Sequence, residues 1–246
     1  MAKAPARLQE TAQRAARAAG RIHLRRLGRV KVKRKTNPLD LVTEADAESE
    51  QAVIWTLQRA VPDHAILAEE SGANARQSEH RWIIDPPEGT TNFAHGFPQF
   101  CVSIAYEHRG RLELGVVFDV LKRELFFAMS GRGARLNGRP IHVRATPSLD
   151  RALLATSLPY DQRERRNFYL VLWEVFMMRT QGVRHAGALI VTAAGGRVMN
   201  PDGSTLDLEA HHILASNRKL HRAMRETIAK ALPEVDRREA EDRAAR

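Results

Sequence analysis

The sequence predicts an α/β protein, and three observations carry the prediction. Stretches with apolar residues at helical spacing lie near both ends, short apolar runs bounded by turn residues fill the middle, and several of those runs end in carboxylates. Consecutive strands give the N-terminal half an α+β texture, and helix and strand alternate beyond Pro147. A boundary near residue 146 then separates an N-terminal α+β domain, 1–146, from a C-terminal α/β domain, 147–246.

Residues 5–27 place Leu8, Ala12, Ala15, Ala19 and Ile22 at helical spacing, with an arginine-rich opposite face. Val30 to Lys35 alternates apolar and basic residues as a strand does, and Thr36-Asn37-Pro38 reads as a turn. Asp40 to Asp46 leads into a helix over 47–60 whose apolar face is Val53, Ile54 and Leu57. Ala65 to Ala68 is a short strand delivering Glu69 and Glu70, and residues 71–80 read as a mobile polar loop. Trp82 to Ile84 is a strand ending in Asp85, where two prolines are expected to stop regular structure, and Gly89-Thr90-Thr91 looks like a helix start.

Phe100 to Tyr106, Leu112 to Asp119 and Glu124 to Met129 predict an antiparallel meander. Gly131-Arg132-Gly133 lacks the spacing of a nucleotide loop, and Asn137-Gly138 is a hairpin signal. Further on, strands are expected over Ala152 to Thr156, Arg197 to Met199 and His212 to Ala215, and helices over Arg163 to Met178, Ala186 to Ala194 and Lys219 to Leu232. Glu234 to Arg246 reads as a charged, frayed tail.

Hydrophobic residues make up 43% of the 246, enough for a substantial core. No apolar run is long enough to span a bilayer and the first thirty residues lack a signal-peptide core, so a cytoplasmic protein without membrane contact is expected. Cys101 is the single cysteine, which excludes an intrachain disulfide and a cysteine zinc cluster; its apolar surroundings predict a structural thiol. A net charge of +10 favours anionic ligands such as phosphate esters. Nucleic acid is a less favoured partner, because the basic residues are scattered and not laced with aromatics in one stretch.

Asp46, Glu69, Glu70, Asp85 and Glu88 all fall at predicted strand ends or beside turns, where open α/β sheets place ligands. Such a cluster repels itself unless cations neutralise it, and hard oxygen donors select Mg²⁺. A helix start beside those carboxylates suits a phosphate, so the stretch Trp82 to Gly96 predicts metal-assisted phosphate-ester hydrolysis. Serine-hydrolase, zincin and P-loop motifs are absent. His95, His211 and His212 are read as exposed loop residues, not as metal ligands.

Asp40 to Asp46, Pro62-Asp63-His64 leading to Glu69-Glu70-Ser71-Gly72, Trp82 to Pro98 and Gly131 to Asn137 together resemble the inositol monophosphatase family. The resemblance implies a layered α/β/α/β/α architecture, a Mg²⁺-dependent and lithium-inhibited phosphomonoesterase acting on a small phosphorylated polyol or sugar, and usually a homodimer. Carried over by motif, Glu69 and Asp85 would hold a first metal with the carbonyl of Pro87, and Glu70 would support water beside it. Asp46 with Thr90 would orient the attacking water, Lys35 aligns with a basic residue near the site, and Gly89, Thr90 and Thr91 would offer donors to the phosphate.

Two departures stand out. The family's usual Asp-Pro-Leu-Asp-Gly-Thr is here Asp85-Pro86-Pro87-Glu88-Gly89-Thr90, which keeps the charge at Glu88 but on a longer arm. After Arg179 to Gly182 the family continues through a helix, a strand and a segment with a metal-binding Asp, whereas this chain passes directly to Ala186 to Val191. Part of the C-terminal sheet and one ligand are therefore expected to be missing near 183–186, and activity is expected to be reduced or lost.

Overall fold

A computed structural model describes residues 3–244 except 36, 38, 75, 157–160, 186–195, 203 and 205–211. The chain divides into two compact units, Met1–Ile141 and His142–Arg246. The first begins with α1 (Lys3–Arg26), then β1 (Val32–Arg34), β2 (Leu41–Thr43) and α2 (Glu44–Ala60). Next come β3 (Ala65–Ala68), β4 (Gly72–Ala73), β5 (His80–Glu88) and the short α3 (Thr90–Ala94). The unit ends with β6 (Cys101–His108), β7 (Arg111–Asp119), β8 (Glu124–Met129), β9 (Gly133–Leu136) and β10 (Arg139–Ile141).

Eight strands form one mixed sheet in the order β10-β9-β8-β7-β6-β5-β3-β4, so the predicted α/β class is observed and the meander lies where its alternation put it. Register explains the core. Trp82 faces Tyr106, Ile84 faces Ile104, Ile104 faces Val116 and Val116 faces Phe127, so alternate residues of four strands form continuous buried rows. The helices supply the facing layer: Ala12, Ala15, Ala16 and Ala19 of α1 and Val53 and Leu57 of α2 join the same core. Small side chains let α1 lie close to the sheet, and at Gly20 an added Cβ would come within 2.7 Å of the Phe118 ring. Asn137 and Gly138, both with positive φ, close the β9–β10 hairpin as their residue types predict.

Three expectations need correction. The polar stretch 71–80 contains a strand, β4, because Gly72 and Ala73 complete pairing with Ala68 and Leu67. The prolines do not stop the strand: β5 runs through Pro86 and Pro87 to Glu88, because they lie in a bulge where their missing ladder donors are not required. Asp85 pairs with Ser103 and Glu88 with Cys101, partners two apart, so the irregularity brings Asp85 and Glu88 to the same face although an uninterrupted pleat would send them to opposite ones.

The second unit contains a 3₁₀ turn (Leu149–Arg151), β11 (Leu153–Thr156), α4 (Arg166–Met177), β12 (Gly182–His185), β13 (Arg197–Met199), β14 (Leu214–Ser216) and α5 (His221–Ala244). Among the described residues its strands form two separate pairs, β11–β12 parallel and β13–β14 antiparallel. The third correction is the tail: α5 continues through Pro233 to Ala244. Glu234 bridges Arg237 and Arg238, and Arg238 and Asp242 reach Glu174 and Arg166 of α4, so the charges of the tail hold it as a helix. The expected turn at 36–38, the helix over 186–194 and the loop residue His211 fall wholly or mainly outside the described residues.

Candidate active site

The β3–β5 pair is the parallel junction of the large sheet, with Ala68 opposite Ile84. Glu69 and Asp85 therefore lie side by side where the parallel pairing ends, Glu69 just past the carboxyl end of β3 and Asp85 at the start of the bulge in β5, near the position at which such sheets present ligand-binding groups. Glu88 reaches the same place from beyond the bulge. The Asp85 carboxyl is held well above the usual carboxylate range by burial, by hydrogen bonding with Glu69 and by the charge of Glu88. Its Oδ1 is shut off from solvent and has no hydrogen-bond partner.

Helix α2 assembles a second cluster from its inward face. Thr43 caps the helix: its backbone N–H donates to Asp46 Oδ2 at 2.9 Å and its hydroxyl contacts the same oxygen. The other oxygen of Asp46 accepts from Thr90 Oγ1 at 2.9 Å, and Thr90 Oγ1 also lies 3.1 Å from the carbonyl of Pro87. Asp46 is buried, which raises its pKa, while the hydrogen bonds from Thr43 and Thr90 act against that rise. One turn on, Ser49 Oγ lies 2.7 Å from the Pro86 carbonyl and holds the bulge against α2.

Lys35 forms the third part of the site, with Nζ 2.6 Å from Glu70 Oε1, 3.4 Å from Glu69 and 3.8 Å from Asp40. Burial opposes its charge, but Glu70 and the neighbouring carboxylates raise the ammonium above its ordinary range. Burial raises the Glu70 carboxyl despite the Lys35 contact. Gly89 takes a positive φ of 95° before α3, and an added Cβ there would lie 3.1 Å from the Gln99 carbonyl; Thr90 is buried and Thr91 exposed.

The structure thus gathers Asp46, Thr90 and Pro87 in one cluster, Glu69, Asp85 and Glu88 in another, and joins Lys35 to Glu69 and Glu70. His95 is exposed at the end of α3, and His212 stacks on Phe168 at 4.8 Å. Burial and the charges of Glu88 and Asp85 push the Cys101 thiol up to about 12, which keeps it protonated and unreactive.

Glu50 was not singled out from the sequence. It is buried on α2 and accepts from the backbone N–H groups of Glu70 at 2.8 Å and Ser71 at 3.0 Å, fixing the turn that presents Glu69 and Glu70. The signal was present, since Asp46, Ser49 and Glu50 share the helical phase of Val53 and Leu57 and so lie on the buried face.

The donor types fit a hard divalent cation: carboxylates, a main-chain carbonyl and a buried Asp85 oxygen without a partner. Among the described residues no three His, Cys, Asp or Glu side chains enclose an ion by themselves, so a cation would complete its shell with carbonyl and water oxygens.

Residues 4–186 match the inositol monophosphatase family. The Nus factor SuhB of Pseudomonas aeruginosa is 38% identical, with 90% of this chain and 96% of that protein aligned. An inositol-1-monophosphatase of Synechocystis is also 38% identical over 77% of each chain. The crystal structure of the extragenic suppressor protein suhB from Bartonella henselae superposes with a TM-score of 0.85 at 30% identity, covering 90% of this chain and 98% of that one. With these likenesses spanning both the sheet and the carboxylate clusters, the chain belongs to the inositol monophosphatase family.

Proposed function

We propose that the chain is a Mg²⁺-dependent phosphomonoesterase acting on a small phosphorylated polyol or sugar, with turnover below that of relatives bearing a second acidic ligand set. The observation that supports it most is the Thr90 hydroxyl, set between Asp46 and the Pro87 carbonyl beside the crowded carboxylates. When Thr90 donates to Asp46, its lone pair is left to accept a hydrogen bond from water. Proton movement from that water through Thr90 to Asp46 leaves a hydroxide-like nucleophile, and burial makes Asp46 a stronger base than a surface carboxylate.

Glu69, Asp85, Glu88 and the Pro87 carbonyl would hold Mg²⁺, which supplies charge neutralisation and polarisation of the phosphoryl group. Lys35 keeps Glu70 in place, and Glu70 in turn supports water at the site. The backbone from Gly89 to Thr91 would receive the phosphate. Hydrolysis of inositol monophosphate and other phosphomonoesters, assayed against Mg²⁺ concentration, tests the reading. Mg²⁺-dependent turnover is expected, and a Pro87→Leu, Glu88→Asp double variant is expected to tighten Mg²⁺ dependence. Turnover that is absent in both proteins at every Mg²⁺ level would sink it.

A second reading, a non-catalytic regulator that binds RNA or protein, is favoured by the 38% identity to a protein named a Nus factor. Complete absence of turnover with the fold intact would decide for it.

A further inference from the structure

Remote from the carboxylates in chemistry, the outer surfaces of α1 and α2 form a groove of about 840 Å³. Arg14, Arg21 and Arg25 line it from α1, and Trp55 and Arg59 from α2. The residues of α1 recur at helical spacing on one stripe, and from Arg14 to Arg25 that stripe runs for about 16 Å at ~1.5 Å per residue. Trp55 is 61% exposed, unusual for so large an apolar ring, and the Arg59 guanidinium lies 4.7 Å from its centroid. Arg25 shares Glu48 with Arg26, whereas among the described residues Arg14, Arg21 and Arg59 have no acidic partner.

We propose that this groove binds a single strand of nucleic acid. A row of guanidiniums suits successive phosphates, and an open indole among them suits an unpaired base, the combination by which single strands are held without sequence preference. The length of the stripe favours a polymer over one compact phosphate group, and a net charge of +10 adds long-range attraction. The proposal deepens the RNA-binding reading above, on which its class of ligand rests, by naming the face: wild-type affinity in Trp55→Ala would refute the face and leave that reading standing, whereas no binding by the wild-type chain would refute both.

The test is fluorescence anisotropy of the full chain with a labelled single-stranded 12-nucleotide RNA and with its duplex, across a salt series. The single strand is expected to bind more tightly than the duplex, whose bases are stacked away. Trp55→Ala should weaken binding about tenfold and Trp55→Phe much less. Arg14→Gln and Arg21→Gln should each lower the slope of log affinity against log salt by about 0.7. Unaltered melting temperatures and unaltered phosphoesterase activity in these variants keep the result separate from folding and from the catalytic reading. Equal binding of duplex and single strand, or wild-type affinity in Trp55→Ala, would overturn the proposal, as would failure of the wild-type chain to bind at low salt.

Discussion

Thr90 carries more than its size suggests, because one hydroxyl connects the buried Asp46 carboxylate to the bulge carbonyl of Pro87. On the proposed mechanism, Thr90→Ala removes the proton path and leaves Asp46 with its Thr43 contacts, so kcat is expected to fall about 100-fold with little change in melting temperature. Thr90→Ser, which keeps the hydroxyl, should restore most of the rate, and steady-state kinetics on the three proteins decides it. A different residue governs acid stability. His23 is fully buried against Phe93 and Phe100, neither ring nitrogen has a partner, and burial lowers its pKa to about 4. The unfolded chain therefore binds the proton first, and stability present above pH ~6.5 is lost as pH falls through the folded value. The loss amounts to about 3 kcal/mol by pH 4, and His23→Leu should flatten that limb in urea melts taken from pH 7 to 4. The buried position of His23 was legible in part, since it follows Ile22 on a helix whose apolar phase is clear, but its missing partners belong to the packed state alone.

Among the elements, α2 does the most to organise the site, sending Asp46 to Thr90, Ser49 to Pro86 and Glu50 to the turn after β3. Glu50→Ala strips acceptors from two backbone N–H groups, at a cost of about 2 kcal/mol, and frees the turn bearing Glu69 and Glu70. Half-saturation by Mg²⁺ is then expected to rise about tenfold, and Glu50→Gln, with one acceptor oxygen, should fall between. Isothermal titration or Mg²⁺-dependent melting reads the order directly. The sheet was legible because a period of two in Trp82 to Ile84 and in the meander fixes both face and register. The inward carboxylates of α2 were partly missed because charged residues are ordinarily solvated, and only their phase with Val53 and Leu57 betrays them. The tail was misread for a related reason: its charges are met by α4 and by one another at helical spacing, and the contacts with α4 are not local in sequence.

For the molecule as a whole, crowding of Glu69, Asp85 and Glu88 would set stability against the cation binding proposed above. Ionising a carboxyl whose folded pKa is raised costs folding energy as pH rises, so at neutral pH without cations this cluster weakens the fold. Asp85→Asn should therefore raise the melting temperature in chelator by about 2–6 °C while abolishing the rise that Mg²⁺ gives the wild-type chain. Calorimetry with and without Mg²⁺ separates the two effects, and a cation-induced rise retained in the variant would contradict this account of Asp85. The bulge in β5 gives this trade an evolutionary side. Between Asp85 and Glu88 the spacing matters for the carbonyls more than for the carboxylates: losing either proline would leave Glu88 on the Asp85 face by regular alternation, but would remove the bulge whose Pro86 and Pro87 carbonyls meet Ser49 and Thr90. Point substitution can drift through this stretch with the bulge in place, whereas a single in-frame codon deletion would straighten the strand and take both carbonyl contacts away in one step.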